Sequence, residues 1–220
     1  MNDKDILNTL LHQLSGYWES YDVNILEACV PVALNRVEED FIASALGRVF
    51  DGDKVIFSPY HSVTWSIFLY YLSNTIFRNN GEVKEADMIY YLNKIMNSND
   101  WFYPISLPIH FMAEHVIGSV LGRATYGDYL FIYQGVTIGG NWRNGKLFYP
   151  TLGTNVLMYA NSTVLGDTFI GNNVIIAADS YIINEVIPDN CIVFGKSPNI
   201  ELKIKSEEYI KDRTSCIWKW

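Results

Sequence analysis

The sequence predicts an α+β chain: an N-terminal helical domain followed by a parallel β-helix of hexapeptide repeats. A six-residue period over residues 152–188, apolar stripes of helical period over the first hundred residues, and a proline-bearing break between them predict it.

The hexads come first. Leu152, Met158, Val164, Ile170, Ile176 and Ile182 stand six apart. Four residues after each comes a small or β-branched residue: Val156, Ser162, Thr168, Val174, Ser180 and Val186. A hexad is one short strand and a turn, and three make a coil whose aliphatic side chains stack inward. Gly and Asn fall where corners are needed, as in Gly153-Thr154-Asn155, Gly166-Asp167 and Gly171-Asn172-Asn173, because they tolerate positive φ. Upstream, Ile132, Val136 and Ile138 keep the register. Fourteen residues then separate Ile138 from Leu152 where two hexads need twelve, so "GGNWRNGKLFYP" leaves the coil as an excursion loop, 139–151. The stretch "HVIGSVLGRATYGDYLFI" reads as three more turns with a residue missing near Tyr126, which starts the repeat near His115.

Residues 1–99 read as helical. Ile6, Leu7, Leu10, Leu11 and Leu14 make one stripe, Trp65, Phe68, Leu69, Leu72 and Ile76 a second, and Met88, Leu92, Ile95 and Met96 a third. A shorter helix is expected from Arg36 to Val49. The break "NSNDWFYPISLP" hands over to a β-helix domain, 100–200, with a tail at 201–220.

Composition narrows the function. With 49% hydrophobic and 18% charged residues the 220-residue chain can bury a core. A net charge of −8 argues against a general nucleic-acid binder. Three scattered cysteines, Cys29, Cys191 and Cys216, support neither a disulfide framework nor a zinc knuckle, which suits a reducing cytoplasm. The start "MNDKDILNTLL" lacks a basic leader, and the apolar run "VTWSIFLYYLSNTIF" is too short and polar to span a membrane, so no membrane partner is expected.

The helical domain, the hexads, "EHVIGSVLG" near their start, the "GVTIGG" strand, the excursion loop and "VFGKSPNI" together resemble the hexapeptide-repeat acyltransferases, and among them the serine acetyltransferases. The resemblance implies a left-handed β-helix, acetyl-CoA as cosubstrate, no metal, and a homotrimer, or a hexamer of two trimers, with each site between neighbouring prisms. It places His115 as general base on an acceptor hydroxyl and Asp100 as the carboxylate that orients it; an imidazole suits that task. It places Glu114 against the acceptor, and Gly139, Gly140, Ala160 and Ala178 along the pantetheine arm. Lys196 and Lys203, with Lys205 beside them, fall where the family meets the nucleotide end, and an acidic protein must gather such charge locally to hold phosphates.

The chain departs from that family in one place that matters. Where it carries Arg-His-Pro after the excursion loop, this chain has Phe148-Tyr149-Pro150. A guanidinium fork for a carboxylate is lost, while aromatic faces suit sugar rings. The expectation is therefore an O-acetyltransferase with a small hydroxylated acceptor held partly by Phe148 and Tyr149, a sugar hydroxyl being preferred to L-serine. The alternative is a catalytically silent trimeric scaffold or binding protein.

Overall fold

The computed structural model describes residues 3–81 and 83–220. Four helices open the chain: α1 (Asp3–Ser15), α2 (Val23–Ile42), α3 (Ser62–Asn80) and α4 (Lys84–Asn97). Ile6, Leu10 and Leu14 of α1 are buried, as their spacing requires. Helix α3 is buried on all sides from Val63 to Ile76, so it forms the axis around which the others pack.

The expected helix from Arg36 to Val49 is displaced. Helix α2 begins at Val23, where the Asp22 carboxylate accepts from Asn24 N at 2.9 Å, and it continues through Pro31 to Ile42. Proline normally interrupts a helix by removing one donor and crowding a carbonyl. Here Leu26, Cys29, Val30, Ala33, Leu34, Val37 and Phe41 bury one face of α2 and hold it through that defect. Residues 43–50 instead form a turn whose Val49 and Phe50 amides donate to Leu46 O.

The rest is a left-handed parallel β-helix of three faces. One face stacks β2 (Phe111–Ala113), β5 (Leu130–Ile132), β10 (Val156–Met158), β13 (Val174–Ile176) and β16 (Cys191–Lys196). A second stacks β1 (Asp100–Trp101), β3 (Val120–Leu121), β6 (Thr137–Gly139), β11 (Thr163–Leu165) and β14 (Tyr181–Ile183). The third holds β4 (Thr125–Tyr126), β9 (Thr151–Leu152), β12 (Phe169–Ile170) and β15 (Val186–Ile187). All six aliphatic residues of the first hexad slot are buried, each contributing about 1.5–3 kcal/mol of burial.

Stacking begins earlier than His115, because β1 already pairs with β3 and β2 with β5. The link between them docks on the helical axis: Tyr70 Oη donates to Ile105 O at 2.8 Å, and Asn74 Nδ2 to Tyr103 O at 2.6 Å. The hexad pattern also slips once at its end. Phe169 pairs with Val186 and Ile170 with Ile187, so the last coil is one residue short. Ile187 takes the interior and Val186 is 74% exposed, against the inward place its spacing implied.

The excursion loop is a β-hairpin, β7 (Asn141–Arg143) and β8 (Lys146–Phe148). Asn144 and Gly145 turn it, with φ of 52° and 74°, as a tight two-residue turn requires. After the last coil, β17 (Asn199–Ile204) pairs antiparallel with β16, and α5 (Glu207–Thr214) leads the chain back to the helical domain. There Trp218 bridges Ser44, and Ala45 N donates to Ile217 O at 2.7 Å. No helix among the described residues is long and apolar enough to cross a membrane.

Candidate active site

The register sorts the expected site residues by corner. Ala113, Ile132, Met158 and Ile176 lie in one stacked column. Two residues after each come His115, Gln134, Ala160 and Ala178, so the corner between the first and second faces carries the expected base and both expected alanines. His115 has φ 52° and is exposed. Its ring makes no hydrogen bond or ion pair among the described residues, leaving both nitrogens open. The ring lines a cavity of about 290 Å³ with Ser62, Met96, Asn97, Ser98 and Gln134. Gln134 Oε1, shielded from solvent there, has no donor partner. Gln134 was not among the expected residues, although its place two after Ile132, like that of His115 after Ala113, is a signal the register supplies.

Glu114, next to the base, forms an ion pair with Arg48 from the turn after α2. Arg48 meets Glu114 through Nη2, while Nε is shielded from solvent without a hydrogen-bond acceptor, a situation that costs about 1–3 kcal/mol for an unmet donor. Tyr133, one coil below Glu114, stacks on Tyr159 at 5.2 Å between ring centroids. Burial raises the Tyr133 hydroxyl pKa, with Tyr159 and Glu114 adding to the effect and Arg48 opposing it.

Asp100 is not brought to the imidazole. Its carboxylate accepts from Tyr90 Oη and from Lys94 Nζ, the latter at 2.9 Å, both on α4. Tyr90 answers with a raised pKa, through burial first and the bond to Asp100 second.

Gly139 and Gly140 lie at a different corner, between the second and third faces. A side chain at Gly139 would meet only Leu165, at 4.0 Å, so that backbone is open to a close-packed ligand. Gly140 is covered instead: a Cβ there would stand 2.9 Å from the Tyr149 ring and 3.0 Å from Leu147. Phe148 is covered too, with the Arg143 guanidinium 4.7 Å and Lys146 Nζ 5.1 Å from its ring centroid. Arg143 also meets Asp167 at 3.0 Å. Phe148 therefore packs within its own hairpin, while Tyr149 covers Gly140 and remains 39% exposed. Lys196 ends β16 and is exposed. Lys203 sits in β17, its Nζ 4.7 Å from the Phe194 ring centroid and 3.6 Å from Glu201. These lysines belong to a paired strand and not to a loose tail. Among the described residues no group of three His, Cys, Asp or Glu is placed to hold a metal.

No protein-family model matches the chain. A serine acetyltransferase of Synechococcus elongatus is 45% identical over 83 residues, 37% of this chain and 34% of that protein. The matched stretch thus spans about a third of that relative. One of Staphylococcus epidermidis is 29% identical over 168 residues, 74% of this chain and 76% of its own. The chain is similar in sequence to serine acetyltransferases. Solved structures share its fold. The Neisseria gonorrhoeae serine acetyltransferase superposes with a TM-score of 0.68 at 23% identity, over 91% of this chain and 80% of its own. That of Brucella abortus in complex with coenzyme A gives 0.70 at 17% identity, over 94% and 83%.

Proposed function

We propose that this protein transfers the acetyl group of acetyl-CoA to the hydroxyl of a small acceptor, with His115 as the general base. The observation that carries this is the open imidazole of His115 at the mouth of a cavity, on the same corner as Ala160 and Ala178. In the reaction the acceptor oxygen attacks the thioester carbonyl carbon while His115 takes the hydroxyl proton. The carbon–sulfur bond then breaks, and the departing thiolate receives that proton as free CoA. The main chain at Gly139, Ala160 and Ala178 lies along the pantetheine arm, and Lys196 and Lys203 face the phosphates.

His115 and Gly139 stand on different corners of one prism, which supports a site completed by a second copy. A homotrimer places one prism's His115 corner against the next prism's Gly139 corner. Exposed Ile117, Val120 and Phe169 supply apolar surface for such contacts.

The acceptor is better read as serine-like than as a sugar. Phe148 is covered by Arg143 and Lys146, which breaks up the aromatic platform, and the relatives are named serine acetyltransferases. The test is thiol release from acetyl-CoA with L-serine, homoserine and a panel of amino and deoxy sugars. Release above background hydrolysis with the amino acids upholds the reading; turnover with sugars alone restores the other acceptor; none at all leaves the scaffold.

A further inference from the structure

Resting on that reading, we propose that Arg48 is the residue that binds the acceptor's carboxylate and so makes the site selective for hydroxylated α-amino acids. The excursion hairpin cannot supply this cation: Arg143 is committed to Asp167 and Phe148, and Lys146 also lies over Phe148. Arg48 reaches the base's neighbour from another part of the chain altogether. Its Nη2 meets Glu114 Oε2, and Glu114 directly precedes His115.

The guanidinium is held but not saturated. Nη2 is taken by Glu114 Oε2, Nε is shielded and finds no hydrogen-bond acceptor, and Nη1 is the nitrogen left for a ligand. The Arg48 side chain is 32% exposed and that of Glu114 23%. A guanidinium with one shielded, unpartnered nitrogen gains more from a carboxylate at Nη1 than a fully solvated one does. Glu114 supplies the opposite charge alongside, which suits an ammonium group. A cation and an anion side by side, next to an open base, match an amino acid's two charges and leave its hydroxyl for His115.

The turn that carries Arg48 is fixed independently of any ligand. Val49 is fully buried, Ser44 Oγ donates to Ile217 O at 3.1 Å, and Lys219 N donates to Ala43 O at 3.0 Å. The residue is therefore presented by a rigid segment.

The experiment compares L-serine with ethanolamine, which lacks only the carboxylate, by kcat/KM with acetyl-CoA and by calorimetric binding, in the full chain and in Arg48→Met and Arg48→Gln. The wild type should prefer L-serine by about 10- to 100-fold, the worth of a charge-assisted pair. In the variants that ratio should fall to within about threefold of one, with the KM for acetyl-CoA unchanged. A purely structural tie between Arg48 and Glu114 would lower the melting temperature and leave the ratio untouched, and that result, in either variant that folds, overturns the proposal. So does a wild type with no preference. If no acceptor is acetylated, the transferase reading falls and binding alone decides: L-serine binding that is lost in Arg48→Met upholds the role, and absence of L-serine binding to the wild type overturns it.

Discussion

Lys94 Nζ stands 2.9 Å from Asp100 Oδ2, and this pair ties the first strand of the solenoid to the last helix of the cap. Both groups are more than a third exposed, so the ion pair contributes no more than about 1 kcal/mol. Asp100→Asn should therefore lower stability by about 1 kcal/mol and change kcat less than threefold. A kcat loss near that of a missing base would instead return Asp100 to the side of His115.

His115→Ala should lose about 10² to 10⁴ in kcat. Binding of acetyl-CoA, which the proposed function assigns to main chain at other positions, should stay the same. Steady-state kinetics with a calorimetric titration of acetyl-CoA check both halves, and retention of more than a tenth of wild-type kcat would end the base assignment.

If the site spans two copies, a protein dead at His115 and another dead at Gly139, for instance Gly139→Trp, should rescue each other when unfolded together and refolded. Random trimers restore about a quarter of the junctions. Rescue well below that level would mean each chain works alone.

A column of glycines stacks main chain on main chain where the third face turns into the first. A Cβ on Gly153 would stand 2.7 Å from the Gly171 carbonyl carbon, and one on Gly127 2.3 Å from that of Gly153. Gly153→Ala should cost about 3 kcal/mol, at the upper end of over-packing penalties. Gly139→Ala meets no such wall; urea denaturation should show little change in stability, with the effect appearing in the KM for acetyl-CoA.

Asp40 is fully buried on α2, accepting from Phe111 N at 2.9 Å and from Tyr71 Oη at 3.2 Å. Burial holds its pKa well above the usual carboxylate range, with Asp128 adding to the effect and the two hydrogen bonds opposing it. The folded state thus keeps the proton more tightly than the unfolded one, and this group's contribution to stability declines as pH rises above about 4 toward the folded pKa. Asp40→Asn removes that decline. The difference in urea midpoint between variant and wild type should grow from pH 4 to pH 7 in favour of the variant; a constant difference would show the group titrates alike in both states.

The aliphatic interior was legible because the hexad repeats the same physical demand six times. Val186 misled because one missing residue turns a strand over, and nothing in its own chemistry marks the slip. Helix α2 was hidden by Pro31, whose penalty is local while the packing that outweighs it comes from α3. His115, Ala160 and Ala178 were named through the family resemblance, and it is the strand register that brings them to one corner. The Asp100 contacts and the Arg48–Glu114 pair were invisible for the opposite reason: each joins the cap to the solenoid, and no period in the sequence encodes that docking.

The bridge from Trp218 to Ser44 sets an order of events during synthesis. Ser44 Oγ and Ile217 O are separated by 173 residues, so the turn bearing Arg48 lacks this clamp while the ribosome is still making the coils. The cap can assemble around α3 early, from local contacts, but this long-range contact must wait until Ile217 has been made. A nascent chain should then hold a formed solenoid base and a turn not yet clamped at Ser44 until Ile217 and Trp218 emerge.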